Sequence, residues 1–345
     1  MKRILLIGGA GFIGHHLALA LKKEGNDVSI IDGLEVNNLI SLQDSRTNFV
    51  NRNFYIKVLE ERLSLLRSAN IPIFVEDARN YQRLSRLVAD LNPDAIFLLA
   101  AVAHASRANK DPYSTFDHSF RTLENTLDIA RTLSNKPQVI FFSSSMVYGN
   151  FMGSNPNEDA VCDPRNIYGA LKLGGEKLAL AYSNVFDFPV TIVRPSALYG
   201  PRCISRRVLQ IFIENALRKS NLVINGDGEE SLDFTYIDDL ISGLLLLTLN
   251  PTAYGEVFNI TRGQPQKLNE AAQIIQSSFP DISITHEPRD VLNPERGSLN
   301  IDKAKNVLHY EPKHDLDLGL QKYINWYRDT WNPDSYHLNH AERNE

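Results

Sequence analysis

Gly8-Gly9-Ala10-Gly11-Phe12-Ile13-Gly14 follows a short apolar run, Ile4 to Ile7, and leads straight into a helical pattern from Phe12 to Glu24. A strand, a glycine turn and a helix therefore stand in immediate succession. The three spaced glycines answer different steric demands. Gly8 permits a tight turn, Gly11 lets backbone approach a pyrophosphate, and Gly14 lets the helix lie close to the strand. Free N–H groups at the start of such a helix face an anion. A glycine triplet alone is weak evidence, and it is the strand before it and the helix after it that point to a dinucleotide.

Outward from this turn, apolar runs alternate with helical patterns. Val28 to Ile31, Ile73 to Val75, Ala95 to Leu99, Val139 to Ser143 and Pro189 to Val193 read as strands, and Thr115 to Leu133 and Tyr168 to Tyr182 as helices. The alternation predicts an α/β fold, a Rossmann-type doubly wound parallel sheet with a smaller C-terminal α/β substrate lobe. Residues 1–200 are expected to form the dinucleotide-binding domain, with an insertion over about 34–70 that contains a helical pattern from Tyr55 to Arg67 and has no legible role. Residues 201–331, punctuated by Gly226, Gly228, Pro251, Pro265, Pro288 and Pro294, are expected to form mainly the substrate lobe, with segments that can return to the first domain. Residues 332–345 are expected to be a frayed polar tail.

Composition narrows the class. The 345 residues are 43% hydrophobic, which excludes a disordered or fibrous chain. Lys plus Arg (36) and Asp plus Glu (41) nearly balance, and no basic run tracks a phosphate backbone, so nucleic acid is not an expected partner. Two cysteines, Cys162 and Cys203, suggest neither a disulfide framework nor a zinc site, and no metal is expected. The run Met1 to Ile7 is too short for a signal segment, and Leu240 to Leu249 is interrupted by Ser242 and Gly243, so a cytoplasmic protein without a membrane partner is expected.

Polar residues at the ends of the runs carry the chemistry. Asp32 closes a strand, where its carboxylate can accept both adenosine ribose hydroxyls and repel a 2′-phosphate, favouring NAD; it can also simply begin a turn with Gly33. Asp77 can accept from the adenine amine or cap a helix over Ala78 to Leu87. Tyr168 and Lys172, four apart, share one helix face, so the ammonium can favour phenolate and make Tyr168 a general acid or base. Ser144, at a strand end, can donate to the same substrate oxygen. Each of these also has an ordinary reading, since Tyr and Lys at this spacing are common on amphipathic helices and Ser143 to Ser145 can be a plain strand end.

Taken together and in order, the stretches GGAGFIG (Gly8 to Gly14), DARN (Asp77 to Asn80), LAA (Leu99 to Ala101), SSSMVYG (Ser143 to Gly149), YGALK (Tyr168 to Lys172), RPSALYGPR (Arg194 to Arg202) and GDGEESLDFTYIDD (Gly226 to Asp239) resemble the extended short-chain dehydrogenases/reductases of the NAD-dependent sugar epimerase/dehydratase family. The resemblance spans nearly the whole chain. It implies Tyr168 as acid/base, Lys172 on the nicotinamide ribose, Ser144 sharing the reacting hydroxyl, and Phe12 and Ile13 as backbone donors to the pyrophosphate. It further implies Asp77 and Ala78 beside the adenine, Leu99, Ala100 and Ala101 along the cofactor, and Pro195 near the carboxamide. It also implies a homodimer formed through the helices Thr115 to Leu133 and Tyr168 to Tyr182, and a nucleotide-sugar substrate, UDP-linked by analogy.

Departures from the family pattern narrow the reaction. Family dehydratases carry Asp-Glu after the active-site Ser/Thr, where this chain has Ser145-Met146; methionine transfers no proton, and the Glu of related decarboxylases is also missing. What remains is oxidation at sugar carbon 4 to a 4-keto sugar. Rotation and re-reduction would give epimerisation, and release or uptake of the keto sugar would make a dehydrogenase or ketoreductase. A non-catalytic NAD sensor is a third reading. The substrate side is expected to include Ser144, Ser145 and Ala197, the last where the family often has Asn. Leu232 stands where an Arg usually grips diphosphate, and Ser119 where Asn is usual. Arg206 or Arg207, with Arg296, is expected to compensate, although surface arginines would look the same. His104 and Arg107 follow the Ala100-Ala101 turn and face either the sugar or the packing at a helix start.

Overall fold

The apolar runs pair side by side in the structure, a computed structural model that describes residues 1–35, 38–43, 51–102, 105–151, 153–288 and 295–331. The first half runs β1 (Arg3–Ile7), α1 (Phe12–Lys23), β2 (Asp27–Asp32), α2 (Leu39–Gln43), α3 (Arg52–Ser68), β3 (Ile73–Val75), α4 (Tyr81–Leu91), β4 (Ala95–Leu98), α5 (Ala105–Lys110), α6 (Pro112–Phe116), α7 (Thr122–Thr132), β5 (Gln138–Phe142), α8 (Ile167–Phe186) and β6 (Val190–Arg194). The remainder runs β7 (Leu198–Tyr199), α9 (Val208–Leu217), β8 (Leu222–Asn225), β9 (Ser231–Leu232), β10 (Thr235–Tyr236), α10 (Ile237–Leu247), β11 (Val257–Asn259), β12 (Gln266–Lys267), α11 (Leu268–Ser278), β13 (Ile284–Glu287), α12 (Asp302–Leu308) and α13 (Leu316–Thr330).

Seven parallel strands form the main sheet in the order β11-β6-β5-β4-β1-β2-β3. Strands β4, β5 and β6 are buried along their whole length, as a parallel sheet covered on both faces requires. The order reverses between β1 and β4, and in such sheets ligands occupy the crevice beyond the carboxyl ends of the strands at this switch point. After β10 the chain returns to this body: α10 packs on α1, and β11 pairs with β6. The short pairs β13 with β8 and β12 with β9 stand apart from the main sheet.

Two elements differ from their sequence reading. The helix expected from Thr115 to Leu133 is broken into α6, a π-helical turn at Asp117–Arg121, and α7. Thr115 Oγ1 donates to the Asp111 carbonyl (2.8 Å) and Thr122 Oγ1 to the His118 carbonyl (2.9 Å), so hydroxyls share acceptors with the backbone on both sides of the wider turn. The helix expected from Ala78 begins instead at Tyr81, capped by Asn80, whose side chain accepts from Arg83 N (3.3 Å); Asp77 is not the cap.

The helix expected from Tyr55 to Arg67 is α3, which packs against α1 and α13. Phe54 lies among Trp326, Tyr327 and Trp331, and the buried Glu214 of α9 accepts from Tyr55 (2.8 Å), Tyr327 (2.8 Å) and Gln210 (2.7 Å) and from Asn51. These hydrogen bonds satisfy the carboxylate, which is how a buried charge avoids most of its desolvation cost. No helix among the described residues is long and apolar enough to cross a membrane.

Two histidines of α1 face inward. His15 Nδ1 donates to the Gly11 carbonyl (2.9 Å) while Nε2 accepts from Arg202 Nε (3.0 Å), which requires a neutral ring. Burial, then coupling to His16 and the Arg62 and Arg202 charges, holds His15 well below the usual imidazole range; burial and Arg202 push His16 down to about 3. The unfolded chain takes up these protons near pH 6.5 and the folded chain does not, so stability is lost as pH falls below that point. Each ring should cost about 1.4 kcal/mol by pH 5.5. His16→Gln should therefore shrink the difference in unfolding free energy between pH 7.5 and 5.5 by about that amount, read by urea titration; an unchanged difference would show that His16 is protonated in the native state.

Candidate active site

Two cavities open in the crevice at the switch point. One, of about 160 Å³, lies over the glycine turn and is lined by Gly8, Gly11, Phe12, Ile13, Asp32, Asp77, Ala78, Leu99, Ala100 and Ala101, among others. The second, of about 400 Å³, is lined by Ser143 to Met146, Tyr168, Lys172 and Pro195 to Tyr199, and by α9, β8, Leu232 and Arg296. Ile13, Leu99, Ala101, Leu198 and Arg207 line both, so the cavities are one continuous cleft.

Backbone makes the floor of the first cavity. Gly8 has φ +84°, and a Cβ there would stand 2.5 Å from Ala100 N; a Cβ on Gly14 would stand 2.5 Å from the Gly9 carbonyl oxygen. Larger residues would therefore push the turn off both β4 and its own helix. Gly11 caps α1 without a side-chain hydrogen bond, leaving the first N–H groups of the helix free for an anion. Asp32 accepts from Ala10 N (2.9 Å) and Leu34 N (2.8 Å), and burial raises its pKa against the pull of these bonds. The residues present thus suit a dinucleotide: an anion cradle, and a carboxylate at the end of the next strand.

Asp77 lines this cavity rather than capping α4. Arg79 clamps it (2.6 Å) and also reaches Asp117 (3.1 Å) and Glu35 (3.1 Å). Desolvation works to raise the Asp77 pKa, and the Arg79 bonds outweigh it and hold the carboxyl low. His118, on the π turn, reaches Glu35 through Nε2 (3.3 Å) and lines the same cavity. Asn125 of α7 donates to the Ala78 and Arg79 carbonyls, both at 3.0 Å, and fixes this loop.

Ser144, Tyr168 and Lys172 come together in the second cavity. Ser144 and Tyr168 line the same wall of this cavity, and the Ser144 hydroxyl accepts from Met146 N (3.2 Å). Lys172 donates to the Phe142 carbonyl (2.6 Å), with its ammonium 5.0 Å from the Phe141 ring centre and 5.9 Å from that of Tyr168. Burial pushes Lys172 down to about 8, partly opposed by Glu176. Burial raises the Tyr168 phenol, and Arg207 and then Ser144 oppose that rise.

Beneath the site, Arg194 of β6 forms a bidentate pair with Glu176 of α8 (2.8 and 2.7 Å), both buried, and also reaches Tyr148 Oη (2.8 Å) and the Glu158 carbonyl (3.1 Å). Glu176 accepts from Ser143 as well, and Tyr148 donates to Asn259 of β11 (2.8 Å). Pro195 and Ala197 line the second cavity; Ala197 holds φ +36°, a conformation Asn tolerates better than Ala. Ser145 donates to Ser196 (3.2 Å). Ser119 accepts from Val102 N (3.3 Å).

Of the paired arginines, it is Arg207 that lines the cleft; Arg206 is exposed, outside the lining of either cavity, because a left-handed backbone at Arg206 (φ +51°) turns the chain between them. Arg207 and Arg296 each have a buried Nε without a hydrogen-bond partner. Leu232 is buried in the same wall. His104 and the side chain of Arg107 lie outside the described residues, as does the 332–345 tail. Glu35, Arg62, His118 and Glu230 also line the cleft and were not foreseen, since each sits in a segment with no local motif.

Residues 4–261 match the model of the NAD dependent epimerase/dehydratase family, and the chain belongs to that family. Its cofactor is NAD. Among curated relatives, the UDP-N-acetyl-alpha-D-glucosaminuronate decarboxylase of Bacillus cytotoxicus is 30% identical, covering 96% of this chain and 99% of its own. The UDP-glucuronate 4-epimerase of Thermodesulfobacterium geofontis is 28% identical, covering 96% and 97%. Among solved structures, the UDP-glucuronic acid 4-epimerase from Bacillus cereus, in complex with UDP-glucuronic acid and NAD, superposes with a TM-score of 0.83 at 27% identity, over 95% of this chain and 99% of that one.

The Glu176 and Arg194 pair invites a direct measurement. Glu176→Ala leaves a buried guanidinium without its carboxylate and should cost about 3–5 kcal/mol in urea unfolding. A loss below about 1 kcal/mol would show that Tyr148 and the Glu158 carbonyl suffice to hold Arg194.

Proposed function

We propose that the protein is a nucleotide-sugar 4-epimerase that acts on a UDP-linked sugar and inverts carbon 4 through a transient 4-keto sugar. The observation that carries this reading is the meeting of Tyr168, Ser144 and Lys172 in a cavity continuous with the one over the glycine turn. In this reading Tyr168 takes the proton from the carbon 4 hydroxyl, Ser144 donates to and steadies the same oxygen, and Arg207 makes the buried phenol easier to ionise. Lys172, anchored on the Phe142 carbonyl, holds the nicotinamide ribose; Phe12, Ile13, Asp32 and Ala78 hold the rest of the dinucleotide. When bound, NAD supplies the acceptor and donor of hydride. Once the keto sugar has turned over within the pocket, Tyr168 would return its proton to the carbon 4 oxygen, leaving the inverted alcohol.

Ser145 and Met146 offer no acid to expel a carbon 6 hydroxyl, which supports the minimal chemistry over dehydration. Arg207 and Arg296, with unpartnered Nε atoms, are suited to bidentate contact with the substrate diphosphate in place of the missing arginine at Leu232. Residues 1–200 would serve the cofactor and residues 201–331 mainly the sugar nucleotide. The relatives include enzymes named for UDP-glucuronate, and a second cavity lined by Arg207 and Arg296 is compatible with an acidic sugar. Two copies would pair through α6, α7 and α8, where Tyr113 and Phe116 stand 87% and 47% exposed; sedimentation equilibrium reads this, and a monomer at micromolar concentration would refute it.

Nuclear magnetic resonance of UDP-hexoses, UDP-N-acetylhexosamines and UDP-hexuronates incubated with the NAD-loaded protein tests the reaction. One pair should interconvert at carbon 4 with no net change in absorbance from reduced cofactor; sustained accumulation or consumption of NADH would replace the epimerase with a ketoreductase or dehydrogenase. Tyr168→Phe should lower kcat by about 10²–10⁴-fold with substrate binding retained, and full turnover by this variant would end the proposal. Arg207→Ala and Arg296→Ala should raise KM for the sugar nucleotide, and unchanged KM in both would discard the diphosphate assignment.

A further inference from the structure

The inserted helix α3 delivers a cation to the cofactor cleft. Arg62 is among the largest fully buried side chains of the protein and lines the cavity over the glycine turn. Among the described residues it forms no ion pair. Its Nε donates to the Arg202 carbonyl (3.0 Å), and Nη2 donates to the same oxygen. Desolvation pushes the guanidinium down to about 10, and Cys203 and Asp32 work against that fall. A buried cation held only by a backbone carbonyl is costly, so what it secures matters.

The residue it secures is wired to both ends of the cleft. Arg202 Nε donates to His15 Nε2 (3.0 Å), and His15 Nδ1 donates to the carbonyl of Gly11, the residue that caps the cofactor helix. Arg202 Nη1 returns to α3 through Glu61 (3.0 Å), and His16 Nε2 holds the Pro201 carbonyl (3.1 Å). Five residues beyond Arg202 the same loop reaches Arg207, which lines both cavities. One connected set of hydrogen bonds thus joins the inserted helix, the glycine turn and the loop that carries Arg207.

We propose that Arg62 is a positioning residue for the dinucleotide: by holding the Arg202 backbone it sets the His15 imidazole under Gly11 and keeps the glycine turn and the Arg207 loop in one register. The inserted helix is then part of the cofactor site rather than a peripheral addition. The NAD-binding claim rests on the family's cofactor; only the extension to Arg207 rests on the diphosphate assignment made above.

The test uses Arg62→Met, which keeps the aliphatic bulk and removes the guanidinium. NAD affinity is titrated on cofactor-stripped protein with no sugar nucleotide present, and urea unfolding of the same stripped protein is measured in parallel. The expected result is NAD binding about tenfold weaker, the scale of one hydrogen bond to a charged group, with unfolding of the stripped protein little changed. Arg62→Lys, which restores a donor, should recover part of the affinity. NAD affinity unchanged in folded Arg62→Met overturns the proposal, whatever happens to stability. Should Arg62→Met fail to fold, Arg202→Met cuts the same path at His15 while leaving the Arg202 carbonyl in place; tenfold weaker NAD binding there supports the proposal, and unchanged binding overturns it. Failure of the Arg207 assignment is read separately, as an unchanged sugar-nucleotide KM in Arg207→Ala.

Discussion

The buried pair between Glu176 and Arg194 ties the helix that carries Tyr168 and Lys172 to the strand that leads into Pro195. Tyr168, Lys172 and Glu176 follow one another at four-residue intervals on α8, so locking Glu176 sets the azimuth of the whole face. Ser143 bonds the same carboxylate, which brings the end of β5, and with it Ser144, into the same frame. Tyr148 and Asn259 extend the network to β11, the strand contributed by the returning chain. A misplacement of an ångström at a reacting centre can cost a hundredfold in rate, and this network is where such displacement is resisted.

The two halves of the cleft solve opposite electrostatic problems. The dinucleotide half presents backbone N–H groups and keeps the histidines beneath it neutral, because a charged imidazole in a buried turn would need its own counter-ion. The other half holds Arg207 and Arg296 against Tyr168. Arg207 stands at the joint of the two cavities, close enough to Tyr168 and Arg296 to act on both, and its charge opposes the desolvation of the phenol.

Helix α3 gives the fold a second clamp. It adds to the contacts that His15 and His16 of α1 make with the loop from Pro201 to Arg207. With it, Arg62, Glu61 and the Glu214 cluster join that loop, α9 and α13 into one body. The polar groups that do this are satisfied by one another over long sequence separations, which is why they fix a unique arrangement rather than merely adding burial.

Sequence alone determined the strands and glycines of the first half, because period, β-branching and steric need are local properties: the glycine turn, Asp32 at a strand end, and the Tyr168 and Lys172 face were all legible before any coordinates. Local pattern could not reveal what pairs across the chain. That Arg207 and not Arg206 meets the cleft depends on one left-handed residue; that Arg79 reaches Asp117 and Glu35, that Arg207 opposes burial of Tyr168, and that Arg62 lies under the cofactor turn depend on elements distant in sequence packing together. Hydrogen bonds and charges act through space, and only the tertiary structure decides which of them lie close enough to act.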